Sequence, residues 1–145
     1  MPGLLARLRR AFFGRAPYHI GTLPTVPMDR YRALRYTAVH GESFRNPDGV
    51  SRQDILRIVK QGDSVAIVPE PDNPYDPDAV RIITEWGMVG YIPREDSAEV
   101  AADIAAGRIA QIGTIVAVHG GSPGQPGRGL VVQLYRKRKR PLKTS

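Results

Sequence analysis

The sequence predicts a mostly β fold, a small antiparallel β-barrel of about six strands with two short helices. Three observations carry that reading. Short apolar runs rich in Val, Ile and Tyr recur between Gly- and Pro-rich turns. Only two segments carry helix-start signals, so regular crossover helices for a parallel sheet are missing. A chain of 145 residues with 41% hydrophobic side chains has the content for one core. Closing so small a sheet on itself removes its exposed edges.

The elements follow in order. Leu4, Leu5, Leu8 and Phe12 recur at helical spacing among Arg7, Arg9, Arg10 and Arg15, which predicts a basic amphipathic helix over residues 1–16. The arginines break the apolar segment that a secretory signal requires. Residues 17–30, with Pro17, Pro24 and Pro27, read as a linker, so residues 1–33 form a basic leader. The barrel domain is expected over 34–136 and a basic tail over 137–145. A first strand is expected at 34–40, ended by Gly41. Ser51, with Asp54 three residues on, opens a helix whose apolar face is Ile55, Leu56, Ile58 and Val59 and which stops near Gly62. Residues 65–68 form a buried strand stopped by Pro69, and a proline-rich loop runs to Pro77. Residues 80–84 and 88–92 pair as a hairpin around Glu85, Trp86 and Gly87, with Trp86 covering one end of the barrel. Asp96 with Glu99 caps an alanine-rich helix over 97–106 that ends at Gly107. Residues 109–118 and 130–135 are the last strands, and the Gly- and Pro-rich stretch 119–129 between them reads as a mobile loop.

Charge separates the ends from the middle. The net charge is +7, but residues 1–33 carry +5, residues 136–145 carry +6 and residues 34–135 carry −4. A barrel that grips a polyanion along its whole surface is therefore not expected. Any binding face in the middle is a local pocket, with the ends adding sequence-independent attraction. The block Arg136, Lys137, Arg138, Lys139 and Arg140 is the densest run of charge. If about three of its cations meet single-strand phosphates, log affinity falls with log salt at a slope near −2. The absence of cysteine removes disulfides and thiolate metal sites and fits a cytoplasmic location. No apolar run approaches the roughly 18 residues of a spanning helix.

The residues Glu70-Pro-Asp-Asn-Pro-Tyr-Asp-Pro-Asp-Ala-Val80, followed by Val89-Gly-Tyr-Ile-Pro-Arg94, resemble the signature of the HIRAN domain. The Val39-His-Gly-Glu-Ser-Phe44 opening and the alanine-rich helix support the resemblance over about residues 34–136. It implies an OB-like barrel that binds single-stranded DNA at a free 3′ end. Because the family also occurs fused to fork-processing helicases, it implies DNA-processing partners and a setting in DNA repair.

The resemblance also distributes roles. Phe44 and Tyr75 would sandwich terminal bases, Tyr91 and Arg94 would contact the backbone, and Arg94 is the best cation for a phosphate in the barrel. Ser43 supplies no cation where some family members have one, and Arg45 is the nearest substitute. The residues themselves add a physical argument. Asn73-Pro74 and Asp76-Pro77 are turn dipeptides in which each proline extends its predecessor, so the loop would hold Tyr75 and Asp76 stiffly. A carboxylate repels phosphate but accepts a hydroxyl, so Asp76 would favour a 3′-hydroxyl over a 3′-phosphate.

Structural roles compete with these. Tyr75 packed on its own prolines, Phe44 in the core, loop capping by Asn73 and Asp76, and an Arg94 pair with Glu95 or Asp96 are the rivals. Catalysis is not expected. Asp72, Asp76 and Asp78 lack the glycine of a calcium loop, and there is neither a P-loop nor a nucleophile elbow. His19, His40 and His119 have no metal-ligand spacing, and no cofactor is implied. The alternative function is recruitment of a protein or membrane surface through the N-terminal helix and the barrel face.

Overall fold

A computed structural model describes residues 14–143. The six strands are β1 (Tyr31–Ala38), β2 (Ser64–Pro69), β3 (Val80–Thr84), β4 (Gly87–Tyr91), β5 (Ile112–Ser122) and β6 (Gln125–Lys137). The helices are α1 (Arg52–Leu56), between β1 and β2, and α2 (Arg94–Ala105), between β4 and β5. All pairings are antiparallel, in the order β1-β6-β5-β2-β3-β4. The fold is mostly β, a curled sheet consistent with an OB-like barrel. Among the described residues no helix is long and apolar enough to cross a membrane.

The two ends of this sheet meet beyond β1. His40 and Tyr91 exchange both backbone hydrogen bonds, each 2.8 Å. Gly90 makes the approach possible, because a Cβ there would collide with the His40 carbonyl oxygen. Period-2 alternation fills the interior: Val65 and Ile67 from β2, Val80 and Ile82 from β3, and Leu130, Val132 and Leu134 from β6 are all buried. Ile55 and Leu56 of α1 and Val100 of α2 close the core. Each such side chain contributes about 1.5–3 kcal/mol by leaving water. Trp86 packs against this core from the β3–β4 turn, as its position in the sequence suggests.

Several sequence expectations are corrected. The stretch 119–129 is not a loop: β5 and β6 run through it in register, with His119 opposite Gly129 and Ser122 opposite Gln125. Gly120 and Gly121 take positive φ at an irregularity in this ladder, a conformation that hides the strand from alternation counting. Helix α1 has only five residues, and Ser51 makes no side-chain cap. Asp63 ends the turn by accepting from the Lys60 amide at 2.9 Å. Helix α2 starts at Arg94 behind Pro93, three residues before the expected point, so Asp96 lies in the first turn rather than at the cap. There Glu95 and Asp96 complement the positive end of the helix dipole.

Most of the helix expected over residues 1–16 lies outside the described residues. Its last three are not helical, since Arg15 bridges to Val50 as a strand would. The linker is a strap held on the β3–β4 turn. Ile20 donates its amide to the Glu85 carbonyl at 2.7 Å, and Leu23 donates to Glu85 Oε1 at 2.8 Å. His19 stands edge-on to Trp86, with ring centres 5.1 Å apart.

Candidate nucleic-acid interface

The loop between β2 and β3 is built around one amide. Asn73 Oδ1 accepts from the backbone amides of Tyr75 at 2.9 Å and Asp76 at 3.0 Å. Asn73 Nδ2 donates to Glu70 Oε1 at 2.8 Å. The loop is shut at its base by the Glu70 amide, which donates to the Ala79 carbonyl at 2.8 Å. Asp76 Oδ1 accepts from the Asp78 amide at 2.9 Å. The capping roles of Asn73 and Asp76 are therefore present, as this Asn/Asp turn chemistry leads one to expect. They orient Tyr75 outward, 88% exposed.

The turn after β1 supplies another part of the lining. The Phe44 amide donates to the Gly41 carbonyl at 3.2 Å, and the Phe44 ring is 66% exposed rather than part of the core. A buried guanidinium fixes this turn. Arg52 donates through Nε to Asn46 Oδ1 at 2.8 Å and through Nη1 to the Gly41 carbonyl at 2.7 Å. It also lies over the Tyr91 ring, 5.8 Å from its centre. Burial pulls the Arg52 pKa down, while the Tyr91 and Glu70 charges pull it up. A guanidinium remains charged through such a shift.

Tyr91, at the end of β4, joins the loop and this turn. Its hydroxyl donates to Glu70 Oε1 at 3.2 Å. Burial first, then the Glu70 charge and hydrogen bond, raise its pKa, against smaller opposing effects of Arg52 and Arg81. Arg94, at the start of α2, is 81% exposed and places Nε 3.9 Å from Asp76 Oδ2. Neither Glu95 nor Asp96 takes it. Asp96 faces Arg35 instead, at 3.7 Å.

The result is an open groove of about 580 Å³ lined by His40, Phe44, Tyr75, Asp76, Tyr91 and Arg94, with Ala79 and Ile92 among its other walls. Five residues singled out from the sequence thus meet in one place. Arg45 does not line it; its Nη1 donates to the Gly49 carbonyl at 2.9 Å, within its own turn. Arg136, Lys137, Arg138, Lys139 and Arg140 are likewise not among its lining residues. Three contributors escaped the sequence reading. Glu70 opens the quoted motif and links the loop to Tyr91, but nothing in its spacing gives it that task. Arg52 reads as an ordinary helix-surface cation, and His40 as one scattered histidine among three. Among the described residues no three His, Cys, Asp or Glu side chains are grouped to hold a metal ion.

Comparisons with known proteins identify the family and the fold. The HIRAN domain profile matches residues 35–123, more than half of the chain. The fold is similar to the crystal structure of a protein from Lactobacillus plantarum, with a TM-score of 0.58 and 23% identity. That likeness covers 74% of this chain and 96% of the other. It is also similar to the HIRAN domain of human HLTF, with a TM-score of 0.51 and 16% identity over 76% of this chain and 83% of that one. No curated protein matches in sequence. The chain belongs to the HIRAN domain family, known as a nucleic-acid-binding module.

Proposed function

We propose that the protein binds single-stranded DNA at a free 3′-hydroxyl end in the groove between Phe44 and Tyr75, as a binding module and not an enzyme. The observation that carries this reading is the exposure of two large aromatic rings that line one groove together with a carboxylate and a cation. Exposed rings gain free energy when a base stacks on them, about 1–3 kcal/mol per base. The loop pays no reordering cost on binding, because Asn73 already holds the Tyr75 and Asp76 amides. Asp76 uses Oδ1 on the Asp78 amide, yet a carboxylate has about four acceptor sites and retains room for a hydroxyl. Arg94 stands beside it for the adjoining phosphate.

Fluorescence anisotropy with oligonucleotides ending in a 3′-hydroxyl or a 3′-phosphate tests the proposal. The hydroxyl end binds more tightly, and Tyr75→Ala weakens it by roughly 5- to 150-fold, the equivalent of one lost stack. Because Tyr75 is exposed, its removal leaves the melting temperature unchanged. Equal affinity for both ends, with no effect of Tyr75→Ala, refutes the reading.

A further inference from the structure

The basic residues near the two termini form two separate runs in sequence but gather at one end of the fold. The antiparallel pairing of β1 with β6 sets Tyr31 opposite Lys137 and Arg32 opposite Arg136. The chain after β6 then returns along the segment before β1. Arg138 donates its amide to the Arg30 carbonyl at 2.7 Å, and Leu142 donates to the Asp29 carbonyl at 2.8 Å. Arg138 Nε also reaches the Met28 and Tyr31 carbonyls, at 3.2 and 3.1 Å. This holds Arg30, Arg32, Arg136, Lys137, Arg138, Lys139, Arg140 and Lys143 at one end of the barrel, and Asp29 is the single acid in these two stretches. Nearby acids of α2 have their own partners, Asp103 with Arg108 at 2.7 Å and Asp96 with Arg35 at 3.7 Å; Glu99 shares a small cleft with Arg136. Two arginines directly opposite across a ladder repel each other, while Glu99 and Asp103 line the same cleft as Arg136 and offset part of that repulsion.

The basic end and the groove lie at opposite ends of β1. Eight residues separate Arg32 from His40, about 25 Å at the rise of a strand. Between them one aromatic ring has no structural task. Thr37 and Val39 are buried, so alternation sends Tyr36, Ala38 and His40 outward, and Tyr36 is 64% exposed. An aromatic ring thus stands midway between a cationic end and the groove that His40 lines, and across the β-bulge between Ala33 and Arg35 the cation on its own face of the sheet is Lys137, not Arg32 or Arg136.

We infer that a single strand seated in the groove continues along the outer face of β1, stacks a base on Tyr36, and lays its phosphates on Lys137 and the basic chain that follows it. The inference rests on the groove reading and extends it from an end-binding pocket to a two-point track. Its length sets a threshold. A stacked strand rises about 3.4 Å per nucleotide, so roughly seven nucleotides reach the basic end. A trinucleotide fills the groove alone.

Anisotropy titrations with a trinucleotide and a twelve-nucleotide strand, both with 3′-hydroxyl ends, test it across a salt series. The full-length chain binds the longer strand more tightly and with a steeper salt dependence. The triple variant Lys137→Gln, Lys139→Gln and Arg140→Gln flattens the slope for the longer strand by about 2, at about 0.7 per phosphate contact, and leaves the trinucleotide unaffected. Tyr36→Ala weakens only the longer strand. Arg138 is left in place because it bonds backbone carbonyls, and unchanged melting temperatures show that each variant folds.

Tyr75→Ala separates two failures. If it weakens both strands while the triple variant and Tyr36→Ala change neither, the track along β1 is overturned and the groove stands. If it weakens neither strand, the groove reading has failed and the track falls with it. Binding to phosphatidylserine vesicles that the triple variant abolishes, with the twelve-nucleotide strand unaffected, also overturns the track in favour of a membrane surface.

Discussion

Arg94 Nε lies 3.9 Å from Asp76 Oδ2, which puts the cation and the carboxylate of the groove side by side at its rim. The pair is mostly solvated on the arginine side, so it contributes little to stability. On the proposed reading, a phosphate is welcome at Arg94 and a second at Asp76 is repelled. Asp76→Asn keeps the shape and removes the charge. It lowers affinity for a 3′-hydroxyl end about fivefold, the difference between a charge-assisted and a neutral hydrogen bond. It raises affinity for a 3′-phosphate end, so the preference shrinks or reverses in paired anisotropy titrations.

Asn73→Ala disorders the wall that carries Tyr75. Two backbone amides lose their acceptor and Glu70 loses a donor. At about 0.5–1.5 kcal/mol per bond in a partly solvated loop, the loss of three bonds is about 1.5–4.5 kcal/mol. For a chain of this size, the melting temperature falls by several degrees in calorimetry. Binding weakens as well, although Asn73 need not touch the ligand.

Tyr91 makes stability sensitive to alkaline pH. Its folded-state pKa is raised above the ordinary 10.0. The proton is therefore held more tightly in the folded chain. That stabilisation is complete below the unfolded pKa and is lost as pH rises through the folded one. Urea unfolding across pH 9 to 12 shows a decline above about pH 10, the ordinary tyrosine value. Tyr91→Phe flattens the part of that decline which belongs to this hydroxyl.

Gly90→Ala strikes the seam between the two ends of the sheet. A methyl group there would collide with the His40 carbonyl oxygen and sit 2.7 Å from Val39 Cγ1. One of the two elements must withdraw, which breaks the exchange between His40 and Tyr91 and opens the groove floor. Loss of several kcal/mol by chemical denaturation is expected, in the upper range for single substitutions. Amide exchange at His40 and Tyr91 accelerates first.

Arg32→Glu converts a repulsive cross-strand pair with Arg136 into an attractive one. Such pairs contribute about 0.2–1 kcal/mol, so the melting temperature rises by a degree or more. The same substitution reduces binding of a long single strand at low salt. Stability and affinity moving in opposite directions would identify the cost of keeping this end positive.

Local chemistry was enough for much of this protein. Short apolar runs in residues 65–68 and 80–84 marked the buried strands, and turn residues marked the hairpin around Trp86. The Asn73-Pro74 and Asp76-Pro77 dipeptides marked a stiff loop, because their effect acts within two residues. The same local rules failed in residues 119–129, where a ladder of backbone hydrogen bonds tolerates Gly and Pro that carry no apolar pattern. They failed again at 17–30, where a proline-bearing segment is tied down by Glu85 more than sixty residues away.

What the sequence determined by itself was the inventory: a barrel of about six strands, a stiff Tyr75-Asp76 loop, and two positive ends around an acidic middle. Only tertiary structure decided which of these share a surface. Phe44, Tyr75, Asp76, Tyr91 and Arg94 converge because His40 and Tyr91 close the sheet, and Arg32 faces Arg136 because β1 pairs with β6. Both depend on hydrogen bonds between backbones far apart in the chain, and backbone groups are the same at every position. No local pattern of side chains records which carbonyl an amide will find.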